Sequence, residues 1–158
     1  MSLAAGADLT VDTGSNEDGN INIEAAIARA SGETTDVTLE AGSGTVTVYG
    51  MATGIGDVTI DGSGGVTLNG NITTNASNID INDATTLATA DIVLTTAGGS
   101  VDFAATTGTI NSAQTRALTI NSGTGDVFLR SIVGGANAIG NLTINATSAS
   151  HTGNGNIT

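Results

Sequence analysis

The densest run of chemistry-bearing side chains is DTGSNEDGN at 12–20, which holds Asp12, Asn16, Glu17, Asp18 and Asn20. Oxygen-rich turns of this kind suit Ca²⁺, a hard cation that takes carboxylate and carbonyl ligands. Asp12, Asn16 and Asp18 are the candidate metal ligands. The spacing is not that of an EF-hand loop, and the chain lacks the G-G-x-G-x-D array of calcium β-rolls. Calcium is thus the one metal the sequence offers a place for, and no resident cofactor is expected.

Paired carboxylates are the second chemistry to weigh. Glycoside hydrolysis needs two of them facing one another across a cleft. The candidates are Asp80 and Asp102, at outward strand positions, and Asp61 and Asp83, next to glycine- or asparagine-rich corners. Chemistry on an acidic sugar polymer would also need cations beside the substrate, and the chain has only Arg29, Arg116 and Arg130. Most of the carboxylates read as turn formers and solubilising groups. His151 is the single histidine; it sits in a Ser/Thr/Gly stretch, where an exposed loop position is expected, and no Ser-His-Asp spacing accompanies it. No catalytic residue is assigned and the chain is expected not to be an enzyme.

The balance of 3 basic against 15 acidic residues gives a formal charge of −12. That excludes binding to nucleic-acid backbones, which requires basic patches. With no cysteine there is no disulfide framework and no thiol chemistry. No apolar run approaches the ~20 residues of a membrane helix, so membrane insertion is not expected. The start, MSLAAGADLT, lacks the basic and apolar regions of a signal peptide, and residues 1–19 read as an N-terminal edge or leader.

The elements that must position these groups are short strands. The apolar pattern has period 2, in bursts such as DVTL (36–39), TVTV (45–48), DVTI (57–60), NIDI (78–81), DIVL (91–94), ALTI (117–120) and NLTI (141–144). The second and fourth residues of each burst share one face, and the third faces out. Bursts come in pairs around a glycine-rich corner: DVTLEAGSGTVTV (36–48), DIVLTTAGGSVDF (91–103) and ALTINSGTGDVFL (117–129) align without gaps. A looser third segment follows each pair. Unit starts at 36, 57, 91, 117 and 141 are spaced by 21, 34, 26 and 24 residues, and the long interval reads as an irregular insertion near 78–90. The Ala-rich stretch at 23–33 reads as a further coil side, with Ile21, Ile23, Ala25 and Ile27 on one strand face, and a short helix is the alternative its Ala content permits.

Self-similarity at this period predicts an all-β chain: a right-handed parallel β-helix (β-solenoid) of about 21–26 residues per coil, with three short strands per coil, in a single domain over 1–158. Stacking explains the absence of proline, because every strand between two others needs its N–H. Leu118 should stack on Leu142, Thr119 on Thr143 and Ile120 on Ile144. Thr38, Thr59, Thr119 and Thr143 fall at one position of the unit, a partial Thr column that Asp80 and Val93 interrupt. Regular Thr arrays on flat solenoid faces bind ice, so an ice-binding module is a further alternative; β-propensity on a solvated face is the plainer reading. Phe128 occupies an outward position and is expected to pack beneath the loose third side, with a lateral contact patch as the alternative. Five N-x-S/T sequons occur, at Asn71, Asn75, Asn141, Asn145 and Asn156, and Asn/Thr richness alone accounts for most of them.

The grammar of ALTINSGTGDVFLRSIVGGANAIGNLTINA (117–146), DVTLEAGSGTVTV and DIVLTTAGGSVDF resembles that of filamentous haemagglutinin-like proteins and related giant bacterial surface adhesins, over roughly residues 20–158. The resemblance implies a slice of a longer repeat protein at the cell surface or outside the cell. It implies a non-catalytic shaft whose partners are the neighbouring repeats of the parent chain, with a host surface or carbohydrate as the wider target. The family's secretion-signal domain has no counterpart here. A carbohydrate-active β-helix enzyme is the alternative from another class. Unpaired strand edges at both end coils would favour end-to-end self-association.

Overall fold

A computed structural model describes residues 2–4, 6–14, 19–29, 34–52 and 54–152. Among the described residues there is no helix; twenty short strands wind into a parallel β-solenoid of about six turns. Three sides repeat in order. Side A holds β1 (Ser2–Leu3), β4 (Ile27–Arg29), β7 (Met51–Ala52), β10 (Ile72–Thr73), β13 (Ile92–Thr95), β16 (Leu118–Asn121) and β19 (Leu142–Asn145). Side B holds β2 (Leu9–Asp12), β5 (Thr35–Glu40), β8 (Ile55–Asp61), β11 (Ile79–Ile81), β14 (Val101–Phe103), β17 (Asp126–Leu129) and β20 (Ser148–His151). Side C holds β3 (Ile21–Ile23), β6 (Val46–Val48), β9 (Val66–Leu68), β12 (Thr85–Leu87), β15 (Thr109–Ser112) and β18 (Ile132–Val133).

Period-2 alternation builds the core. On side B the inward columns run Val37–Val58–Ile79–Val101–Val127 and Leu39–Ile60–Ile81–Phe103–Leu129, all buried. Burying side chains of this size contributes about 1.5–3 kcal/mol each. Phe103 is the one aromatic in these columns. Polar side chains also take inward places: Thr85, between Val66 and Ile110, donates to the Asp83 carbonyl at 3.1 Å, while the buried Thr35 hydroxyl on β5 has no hydrogen-bond partner. At the A–B corner the Thr74, Thr96 and Ser122 hydroxyls donate to the carbonyls of Ser77, Gly99 and Gly125, respectively. A buried hydroxyl without such a partner would cost stability.

The expected stacking of ALTI on NLTI is present residue for residue, Leu118 on Leu142, Thr119 on Thr143 and Ile120 on Ile144. Three expectations are corrected. The segment 78–90 is no insertion: it is an ordinary part of the stack, with Ile79 paired to Val58 on one side and Val101 on the other, and Thr85–Leu87 paired on both sides. The gapless alignment of 36–48 with 91–103 and 117–129 joins different faces. The first spans sides B and C, the others sides A and B. Finally, the coil step varies more than expected. It falls below the expected range where Val66 is followed by Thr85, and exceeds it where Leu9 is followed by Val37. The Ala-rich stretch does form coil sides, but the chain turns between Ile23 and Ile27, leaving Ala25 exposed. Residues 30–33 of that stretch lie outside the described residues.

Glycine is required where corners stack. A Cβ on Gly125 would fall inside the Gly99 carbonyl, and one on Gly99 inside the Ser77 carbonyl. Gly125→Ala is therefore expected to cost about 1–3 kcal/mol or more in urea unfolding. Thr124→Ala, on the exposed tip of the same corner, should stay within about 0.5 kcal/mol of the parent.

Candidate functional site

The carboxylates gather on side B because its strands place an acidic residue at equivalent outward positions coil after coil. At the A–B corner they form a ladder. Asp8 Oδ1 accepts the Asp36 N–H (3.1 Å), Asp36 Oδ1 that of Asp57 (2.8 Å), and Asp57 Oδ1 that of Asn78 (2.7 Å). Asn78 Oδ1 then accepts the Ser100 N–H (2.9 Å), and Ser100 Oγ that of Asp126 (3.3 Å). The Ser148 hydroxyl closes the series by donating to Asp126 Oδ1 at 2.7 Å. One oxygen of each of these side chains is spent on the next coil.

At the opposite edge of side B, Asp12, Glu40 and Asp61 stack in register and line, with Gly42, a shallow cavity of about 330 Å³. Asp83 approaches Asp61 from the next coil and its Oδ2 accepts the Gly62 N–H at 3.1 Å. The contact with Asp83 raises the Asp61 pKa, helped by partial burial and by the charges of Asp83 and Glu40. Of the calcium candidates, Asn16 and Asp18 lie outside the described residues, as does Glu17. Asp12 accepts the Gly14 N–H at 2.7 Å, and Asn20 accepts both the N–H and the hydroxyl of Thr45. Among the described residues no group of three or more His, Cys, Asp or Glu side chains is arranged to hold a metal ion.

Asp80 and Asp102 are brought together, side by side in register on β11 and β14. Asp80 is raised, first by burial and then by the charges of Asp102 and Asp57. Asp102 is engaged elsewhere: Arg130 Nε and Nη2 donate to its two oxygens at 2.9 Å each. The same guanidinium lies 5.2 Å over the Phe128 ring, which is in register with Asp102, and Asp102 raises the Arg130 pKa. So Phe128 packs beneath Arg130 on its own face, rather than beneath the third side. Both carboxyl pairs, Asp61 with Asp83 and Asp80 with Asp102, stand on neighbouring coils of one side. They do not confront each other across a gap, which is the placement hydrolysis of a glycosidic bond requires.

The Thr column also resolves differently. Thr38 and Thr59 stack on side B with Thr10, whereas Thr119 and Thr143 stack on side A. The unbroken column is on side C, Asn22–Thr47–Thr67–Thr86–Asn111. His151 is not in a loop: it continues the inward column beyond Leu129, half-buried, with Nε2 3.3 Å from the Ser131 carbonyl oxygen. The Asx ladder and the Arg130–Asp102 clamp were missed in the sequence. Their signal was present, as Asp8, Asp36, Asp57, Asn78, Ser100 and Asp126 recur at coil spacing.

The raised carboxyls set a pH dependence. Asp61 and Asp80 bind their protons more tightly folded than unfolded. Their contribution favours the fold below the ordinary value of 3.8, and is lost as pH rises through the raised values. Melting temperature should therefore increase as pH is lowered from 7 towards the carboxylate range. Asp61→Asn should melt higher than the parent at pH 7 and show a shallower pH slope. Parallel slopes for the two proteins would show that Asp61 carries none of the effect.

No family model, curated protein or solved structure matches the chain.

Proposed function

We propose that the chain is a non-catalytic structural shaft segment of a secreted or cell-surface bacterial adhesin-like protein. The observation that carries the reading is the A–B corner ladder, in which side-chain oxygens from Asp8 to Asp126 bond along the solenoid axis to the next coil. A rod needs cohesion between coils, and this device supplies it in addition to the backbone ladders. The resemblance of the repeat grammar to that of filamentous haemagglutinin-like proteins supports a surface location. In this reading the partners are neighbouring repeats of the parent protein, and recognition of a host surface or carbohydrate belongs to the assembled shaft. No resident cofactor takes part.

Antibodies raised against the chain should label intact cells that make it. Label confined to lysed cells would overturn the surface assignment, and hydrolysis of a polysaccharide by the folded chain would overturn the non-catalytic one.

The ends carry a second expectation. Among the described residues β19 and β20 pair on one side only, and Leu142 and Ile144 are half-exposed where Leu118 and Ile120 are buried. Open strand edges over apolar positions favour further stacking. Sedimentation should give a weight-average mass that grows with concentration; a constant monomer mass up to high concentration would refute end-to-end association.

A further inference from the structure

One inward column of side B runs Val11–Leu39–Ile60–Ile81–Phe103–Leu129–His151, from β2 to β20. Its members are apolar except the last, which is the chain's one histidine. Leu39 to Leu129 are buried, whereas Val11 and His151, at the two ends, are half-buried. The corner ladder is open at the same place. Ser100 Oγ accepts the Asp126 N–H, and Ser148, the next member, donates to Asp126 Oδ1. A hydroxyl that donates once can still accept an N–H. Asp8 opens the ladder at the other end. The two ends of the solenoid are therefore complementary. Setting β2 on β20 places Val11 on His151, Leu9 on Ala149 and Asp8 beside Ser148, the pairing that β5 to β17 make coil on coil.

We propose that copies of the chain join head to tail, β2 of one copy on β20 of another, and that His151 makes the joint pH-sensitive. The inference rests on the end-to-end association expected above. The occupant is a second copy because the joint continues, column for column, the interface that holds the coils together. It uses two different surfaces and does not close on itself, so it propagates as a filament. At the joint His151 passes to an inward place between Leu129 and Val11, and burial among apolar side chains disfavours a charged imidazole. Joining thus takes the neutral ring, and expels a proton from a charged one. Histidine ordinarily changes charge between about pH 5 and 8, so the joint forms at the upper end of that range and opens at the lower.

The charged groups near the joint do not reverse this sign. On β17 they are Asp126, which accepts the Ser148 hydroxyl, and Arg130, which is bound to Asp102. β18, β19 and the rest of β20 carry none, nor do the arriving β1 and β3. The arriving coil brings Asp8 and Asp12, whose Oδ1 atoms accept the N–H groups of Asp36 and Gly14. All four stand at outward or corner positions, on the opposite face of the strands from His151. Arg29, on β4, lies one coil further in. Net charge acts the other way: repulsion between copies at −12 weakens as carboxylates take up protons.

The test is sedimentation of the full chain at one concentration and ionic strength, between about pH 8 and about pH 5. The association constant of the parent should fall about tenfold or more over that range. His151→Leu should stay associated throughout and gain at low pH as repulsion declines. His151→Gln, which takes no charge, should also lose the fall. Val11→Asp should be monomeric at the upper pH; melting of each variant at low concentration checks its fold, and the His151 variants carry the test if Val11→Asp does not fold. Parallel pH curves for the parent and both His151 variants overturn the pH control alone and leave head-to-tail association standing. Folded Val11→Asp that associates like the parent overturns the joint of β2 on β20. Monomer at every pH for the parent and all variants overturns end-to-end association and this inference together.

Discussion

Every coil must follow the backbone path of the coil beneath it at one strand spacing, about 4.8 Å, corners included. That constraint accounts for most of the composition. At a corner the carbonyls of one coil lie directly under the next, leaving no room for a Cβ; Gly44 over Gly19, Gly64 over Gly44, and Gly125 over Gly99 meet the requirement. Proline, which would delete a ladder donor, is absent from the sequence. The same spacing lets a short side-chain oxygen reach the N–H one coil away, so the outward corner positions of side B become Asp, Asn or Ser. With a narrow interior, Val, Ile and Leu fill the layers, and one phenylalanine, Phe103, suffices where a wider core would use several.

Stacking also has an electrostatic cost, because a residue type favoured at one coil position recurs above itself. Like charges at strand spacing disfavour ionisation. Asp61 holds its proton more tightly through its contact with Asp83, then burial and the charges of Asp83 and Glu40, and Asp80 does so first through burial and then through the charges of Asp102 and Asp57. The chain offsets the cost in three ways. Ladder carboxylates such as Asp36 and Asp57 accept backbone N–H bonds from the next coil. Arg130 clamps Asp102 where the Asp80–Asp102 column would otherwise continue unpaired. Side C avoids the problem, since its central outward column is Asn and Thr from Asn22 to Asn111.

Inward and outward positions were legible in the sequence because alternation reports them directly, as DVTI and DVFL show. The stacking of 117–120 on 141–144 was legible because ALTIN and NLTIN are nearly identical and stand on successive coils. What alternation does not report is which side of the coil a strand occupies. Strand, glycine corner and strand look alike at the A–B and B–C corners, so DVTLEAGSGTVTV and DIVLTTAGGSVDF aligned although they lie on different faces. The apparent insertion at 78–90 and the mixed Thr column follow from that one ambiguity. It also concealed the stack of Asp12, Glu40 and Asp61. Its members sit at the ends of β2, β5 and β8, and the two coil steps that join them are unequal, so they come into register only once the pairing is known.

The same regularity bears on what chemistry the surface can perform. A solenoid obtains a cleft by letting loops stand away from the stack, and between β8 and β18 every connection here is a short corner, none longer than 74–78. Carboxylates then share a face instead of confronting each other, and their oxygens reach the neighbouring coil before they reach a ligand. A side chain freed from the ladders must sit at a corner, as Asn75 does, or at the lead-in to a strand, as Asn141 does. Groups of that kind are solitary and solvent-facing.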